Sequence, residues 1–151
     1  MEIRTCSSIS KIGTGESTLP ILKIGFEHTD PNNFERSFYN QLGIEYKTRF
    51  DYFSLPNDLQ GSKRFLESVK ENLADDFIFV HNQSSVGRFD LQIASSLPRH
   101  TMEISDTSNV LDYVDTLKEA KEIHLINSGI VGLVINMYHC NMLPKAKIYY
   151  H

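Results

Sequence analysis

Four consecutive large apolar residues, Phe77-Ile78-Phe79-Val80, constrain this chain more than any other stretch of it. Side chains alternate between the two faces of a strand, so an unbroken apolar run fits a strand covered on both sides, as in a parallel sheet. The segments that follow agree with this. Thr101-Met102-Glu103-Ile104 reads as a weaker strand, and residues 110–120 as a helix with Leu111, Val114 and Leu117 inward. Glu122-Ile123-His124-Leu125-Ile126 is the next strand, and residues 130–141 form an apolar helix stopped by Pro144. Lys147-Ile148-Tyr149-Tyr150 closes the series. Strands alternating with helices predict an α/β fold: a single Rossmann-like domain with a mostly parallel sheet and helices on both faces.

Upstream, Leu19-Pro20-Ile21-Leu22-Lys23-Ile24-Gly25-Phe26 reads as a strand, with Pro20 favouring an edge or a strand start. Asp30 followed by Pro31 is an N-cap with proline at the first helical position. That helix is expected to run to about Leu42, with Phe34, Phe38 and Leu42 on one face at four-residue spacing and Gly43 at its end. Residues 44–56 suggest a short extended connection. A second helix starts at Asn57, Asp58 or Ser62 and continues to about Leu73. The chain therefore divides into a polar arm or edge strand over 1–18 and a Rossmann-like domain over 19–151, with its core in 76–151. A length of 151 residues leaves room for one such domain, not for the two large domains between which many enzymes work.

Composition narrows the partners. A net charge of −4 disfavours a nucleic-acid polymer. No apolar run approaches the roughly 20 residues of a membrane span, and residues 1–15 lack the apolar stretch of a secretory signal. A cytoplasmic protein is the expectation. Cys6 and Cys140 lie in unlike contexts, which suits two thiols in a reducing compartment better than a disulfide. The histidines fall singly, and no CxxC or HExxH occurs, so no metal site and no cofactor is expected.

Ligands of open α/β sheets bind at the carboxyl ends of the strands. Three loops lie at such ends. The first offers His81, Asn82, Gln83, Ser84, Ser85 and Arg88; the second Asp106 and Asn109; the third Asn127, Ser128 and Gly129. In the third loop a strand passes directly into a helix, whose unpaired N–H groups, dipole and Ser128 hydroxyl together make a phosphate seat. Taken alone, Ser128 reads first as an ordinary N-cap. Gly129 and Gly132 permit close approach of a ligand or a neighbouring strand. Arg88 either binds an anion or is a solvated loop arginine or a partner for Asp90. His81 either meets a ligand or holds its own loop. Asp106 and Asn109 read as caps of the helix near Val110, with ribose binding as the functional alternative for Asp106. His124, inside a strand, reads as a satisfied sheet histidine. No nucleophile elbow occurs, and paired carboxylates near a strand end are missing apart from Glu103 and Asp106, which come from adjacent elements, so no catalytic residue is marked.

Several segments together resemble glycosyltransferase-like proteins of the GT-B fold, found in bacteria and large DNA viruses. They are Phe77 to Ser85 with Arg88, Asn109 to Tyr113, Glu122 to Ser128, and Lys147 to His151, preceded by Phe38 to Ile44 with Arg49 and Phe53. The resemblance covers about residues 34–151. It implies the carboxyl-terminal half that holds the nucleotide part of a sugar donor, with Arg88 and Ser128 near phosphate and His81 to Ser85 lining the site. The family's acidic pair after the strand histidine is replaced here by Asn82 and Gln83. Residues 1–33 are too few for the acceptor-binding half. The expected function is therefore binding, or sequestration, of a nucleotide-derived small molecule such as a nucleoside diphosphate, nucleotide sugar or messenger, without turnover. A phage-encoded sponge for a host signal would need no more than this half. A minimal glycosyltransferase using a nucleotide-sugar donor is the alternative, and a homo-oligomer would close the open side of the cleft.

Overall fold

The structure, a computed structural model, describes residues 24–151 except Ile104 and Ser108. The polar arm, Cys6, most of the first expected strand and Ile104 lie outside the described residues. The chain divides into two compact units, residues 1–46 and residues 47–151.

In the first unit, Ile24 and Gly25 are irregular and Phe26–His28 is a 3₁₀ turn, so the described end of the first expected strand is not extended pairing. The Asp30 carboxylate accepts from Asn32 N at 2.9 Å, and Pro31–Asn33 forms a 3₁₀ turn that leads into α1 (Phe34–Gln41). Leu42 closes the helix, and Gly43 takes φ +65°, where a side chain would be strained. Phe26, Phe34 and Phe38 cluster with ring centroids 5.2–6.0 Å apart.

The second unit carries the sheet. α2 (Thr48–Asp51) replaces part of the extended connection expected over 44–56. Two contacts to the last long helix of the chain fix this single turn: the Phe50 ring lies 4.1 Å from that of His139, and Arg49 Nε donates to Asn136 Oδ1 at 2.9 Å. α3 (Gln60–Asn72) follows, then β1 (Ile78–His81), a hairpin of β2 (Gln83–Ser84) and β3 (Gly87–Arg88), and β4 (Arg99–Thr101). A 3₁₀ turn, Val110–Tyr113, runs into α4 (Val114–Glu119). β5 (Glu122–Leu125), α5 (Gly129–His139) and β6 (Lys147–Tyr150) complete the unit.

Four strands form a wholly parallel sheet in the order β4-β1-β5-β6, flanked by helices, and the α/β Rossmann-like expectation holds. Val80 lies beside Thr101 on one side and His124 on the other; His81 lies beside Leu125. Phe79, Ile123 and Leu125 share one face and pack with Val69 of α3, Val114 and Leu117 of α4, and Ile130, Val134 and Met137 of α5. Ile78 and Val80, on the opposite face, are also buried. Among the described residues no helix is long and apolar enough to cross a membrane.

Helices α3 and α4 are joined by a polar contact across their interface. The fully buried Ser62 hydroxyl accepts from Asp115 N at 2.7 Å, satisfying an N–H in the first turn of α4 that the helix itself leaves free. Ser62→Ala is expected to cost about 1–3 kcal/mol, the penalty for an unpaired buried donor. Thr116, also fully buried, gives its Oγ1 no partner. Thr116→Val keeps the shape and removes that unmet group, so it is expected to stabilise by about 1 kcal/mol. Thermal and urea unfolding of the two variants check these opposite signs.

Candidate functional site at the carboxyl edge of the sheet

β1 leads to β4 on one side of it, whereas β5 leads to β6 on the other. Neighbouring strands whose outgoing connections diverge open a crevice at their carboxyl ends, where α/β sheets bind ligands. The loops after β1 and β5 border that crevice.

His81 ends β1 and is 7% exposed, yet neither ring nitrogen has a hydrogen-bond partner. Its main chain is committed, accepting from Ile126 N at 3.2 Å. Burial pushes the imidazole below its ordinary pKa, so the ring is neutral, with one donor and one acceptor unused. Asn82 follows. Its Nδ2 donates to Phe89 O at 3.0 Å and Phe89 N donates to Asn82 O at 2.8 Å, which ties the base of the hairpin. Asn82 Oδ1 stays buried and unpartnered.

On the β5 side, Ser128 sits at the N-cap of α5 with extended backbone, φ −167°, but its side chain makes no capping bond. The hydroxyl is buried without a partner. The ordinary cap reading thus gives its position and not its role. Gly129 opens α5, and a Cβ placed there meets nothing within 4 Å, so the helix start faces open space. Asn127 is exposed. Three buried, unused polar groups on adjacent strand ends, next to the free N–H groups of an 11-residue helix, are the features this edge offers a ligand.

The other sequence-predicted residues are placed differently. Gln83 and Ser84 pair with Arg88 and Gly87 in the hairpin; Ser84 Oγ accepts from Val86 N at 3.3 Å, and Ser85 is exposed at the tip. Arg88 pairs with Glu103, not with Asp90, and also donates to Gln83 Oε1 at 3.2 Å. Asn109 caps the 3₁₀ turn, accepting from Leu111 N at 3.1 Å. Asp106 serves its own loop instead of the helix start. It accepts from Glu103 N at 2.8 Å and from the Tyr113 hydroxyl at 3.4 Å, and its carboxylate lies 3.8 Å from His100 Nε2. Burial first, then Asp106, pushes the Tyr113 phenol well above its usual range. Gly132 needs no close approach, since a Cβ there would meet Arg49 Nη2 at an ordinary 3.8 Å.

Sequence reasoning missed His100 as a member of this neighbourhood and noted Glu103 only as a carboxylate paired with Asp106. A cavity of about 320 Å³ lies beside it, between α3 and β4, with Phe65, Asn72, His100 and Asp106 in its walls. It does not include the His81–Ser128 edge. Among the described residues the cavity wall holds one buried polar atom without a hydrogen-bond partner, His100 Nε2, whereas that edge holds both His81 ring nitrogens, Asn82 Oδ1 and Ser128 Oγ. His124 is the satisfied sheet histidine expected: Nε2 lies 3.2 Å from Glu122 Oε2, Nδ1 2.9 Å from His151 Nε2, and the ring stacks on Tyr149. Cys140 is a free thiol, with Sγ 3.4 Å from Phe50 O. No cluster of metal-ligating side chains occurs among the described residues.

Burial is the largest influence on His81, His100 and His124, and it lowers the pKa of each. In the unfolded chain these rings protonate near pH 6.5. The folded protein resists, so it binds fewer protons than the unfolded chain and loses stability as pH falls below about 6.5. Above pH 7 both states are neutral and the effect vanishes. Urea unfolding at pH 7.5 and 5.5 should show the loss. His81→Leu should reduce it and add about 1 kcal/mol at pH 7.5, because two unmet nitrogens disappear. An unchanged acid loss in that variant would remove His81 from the set.

No protein-family model, curated protein or solved structure matches this chain.

Proposed function

We propose that the protein binds a phosphate-bearing, nucleotide-type small molecule at the carboxyl edge of its sheet, and holds it without turnover. The observation that carries this is the set of unused groups on the diverging strand ends: both His81 ring nitrogens, Asn82 Oδ1 and Ser128 Oγ, beside the start of α5. A buried polar group without a partner costs about 1–3 kcal/mol, and a ligand that supplies the partner recovers that cost.

The groups divide by chemistry. The N–H groups of α5 and the Ser128 hydroxyl suit phosphate oxygens, because they donate at the positive end of a helix dipole. A neutral imidazole and an amide oxygen suit hydroxyls or the edge of a base, since they both donate and accept. Together they fit a molecule with an anionic part and an uncharged hydrogen-bonding part. The resemblance of residues 34–151 to the nucleotide-holding half of GT-B proteins points to the same class. Among the described residues no hydrogen bond joins the Ser128 hydroxyl to the His81 imidazole at this edge, which favours capture over transfer.

Heat-denaturing protein pre-incubated with nucleoside mono-, di- and triphosphates, cyclic nucleotides and nucleotide sugars, then identifying what is released, tests the reading. One intact nucleotide per chain is the expected result. Free nucleoside diphosphate accumulating from a nucleotide sugar would make the protein a transferase or hydrolase, and no retained nucleotide would end the proposal. Gly129→Val provides the site control. Nothing in the fold opposes a side chain there, so its melting temperature should stay within a few degrees while the retained nucleotide falls at least tenfold.

A further inference from the structure

Arg88 is the cation that the hairpin brings to this edge, and it is already engaged. Its Nη2 donates to a Glu103 carboxylate oxygen and to Gln83 Oε1. Strand order gives that pairing a direction. Arg88 belongs to the loop of β1, which lies between β4 and β5. Glu103 follows β4 on one side, while Ser128 and the first turn of α5 follow β5 on the other. The guanidinium is thus drawn to the β4 side, away from the start of α5.

Glu103 is fixed where it stands, since its N donates to Asp106 Oδ2 at 2.8 Å and its carbonyl accepts from the Tyr113 hydroxyl at 3.3 Å. The ion pair itself is weakly held: the two side chains are 52% and 38% exposed, and exposed pairs exchange partners readily. The hairpin does not depend on it, because Asn82 and Phe89 close its base through two other hydrogen bonds.

We infer that Glu103 is an internal competitor for Arg88, a carboxylate that occupies the guanidinium until an anionic ligand group on the α5 side replaces it, so that Glu103 sets the affinity of the site. This rests on the phosphate-bearing ligand proposed above. Arginine binds carboxylate and phosphate through the same planar fork, so one anion substitutes for the other without new geometry. Uncharged sugars and nucleosides bring no anion to the exchange, and the device therefore favours phosphorylated ligands over their uncharged parents.

Titrating the protein with inorganic phosphate while following the Gly129 and Ile130 amide resonances tests the exchange. Glu103→Gln should tighten the phosphate Kd about two- to fivefold, the scale of an exposed ion pair. Arg88→Gln should weaken it roughly tenfold. The double variant should equal Arg88→Gln alone, because a competitor has no effect once its target is gone. A Glu103→Gln protein that binds phosphate as the parent does, or more weakly, overturns the inference and leaves the site reading standing. A double variant tighter than Arg88→Gln also overturns it, by showing that Glu103 repels the anion directly. Amides that respond to phosphate in none of the proteins would remove the site reading and the exchange together.

Discussion

Everything in the sheet-bearing unit is arranged around the burial of β1 on both faces. Phe77, Ile78, Phe79 and Val80 are each at most 4% exposed, and the strand is paired on both edges. A strand so enclosed cannot end on a polar residue without drawing that residue inward. His81 follows Phe79 on the helix-covered face, beside Leu125, and is buried with it. The placement that makes the core compact thus removes the imidazole from water and gives it no partner. The rule that buried polar groups find partners is broken here, as it is at Asn82, His100, Thr116 and Ser128, and functional or strained sites are where such breaks are expected.

Three of the strands were legible because their signal is local. The apolar run of β1 states its own burial, and β1, β5 and β6 lie within a residue of where the sequence puts them, whereas β4 (Arg99–Thr101) shares only Thr101 with the strand expected over 101–104. The Asp30-Pro31 start is legible for the same reason, since a cap and its helix are neighbours. β2 and β3 are not: each has two residues, mostly polar, and only their mutual pairing makes them strands. α2 exists because Phe50 and Arg49 find partners some 90 positions away, which no window of sequence contains.

At the candidate site the same division holds. The sequence places Ser128 at a helix start, yet the orientation of its hydroxyl depends on what surrounds it, and there it declines the cap. Arg88 reads as the cation of its loop, but its partner Glu103 lies fifteen residues on and arrives through the pairing of β4 with β1. A net charge of −4 is a sum over the whole chain and does not register the backbone N–H groups at the start of α5. Global charge bears on polymers and surfaces, whereas a small anion responds to the groups within a few ångströms.

The Ser62–Asp115 contact also bears on the order in which the protein assembles. α4 has six residues, well below the roughly 12–15 at which an isolated helix becomes even marginally stable in water. The hydroxyl that serves its first turn comes from a residue 53 positions earlier. α4 therefore draws part of its first turn's hydrogen bonding from α3 and has little independent existence. The two helices are expected to gain and lose protection from solvent exchange together, and joining them closes a long loop at an entropic cost.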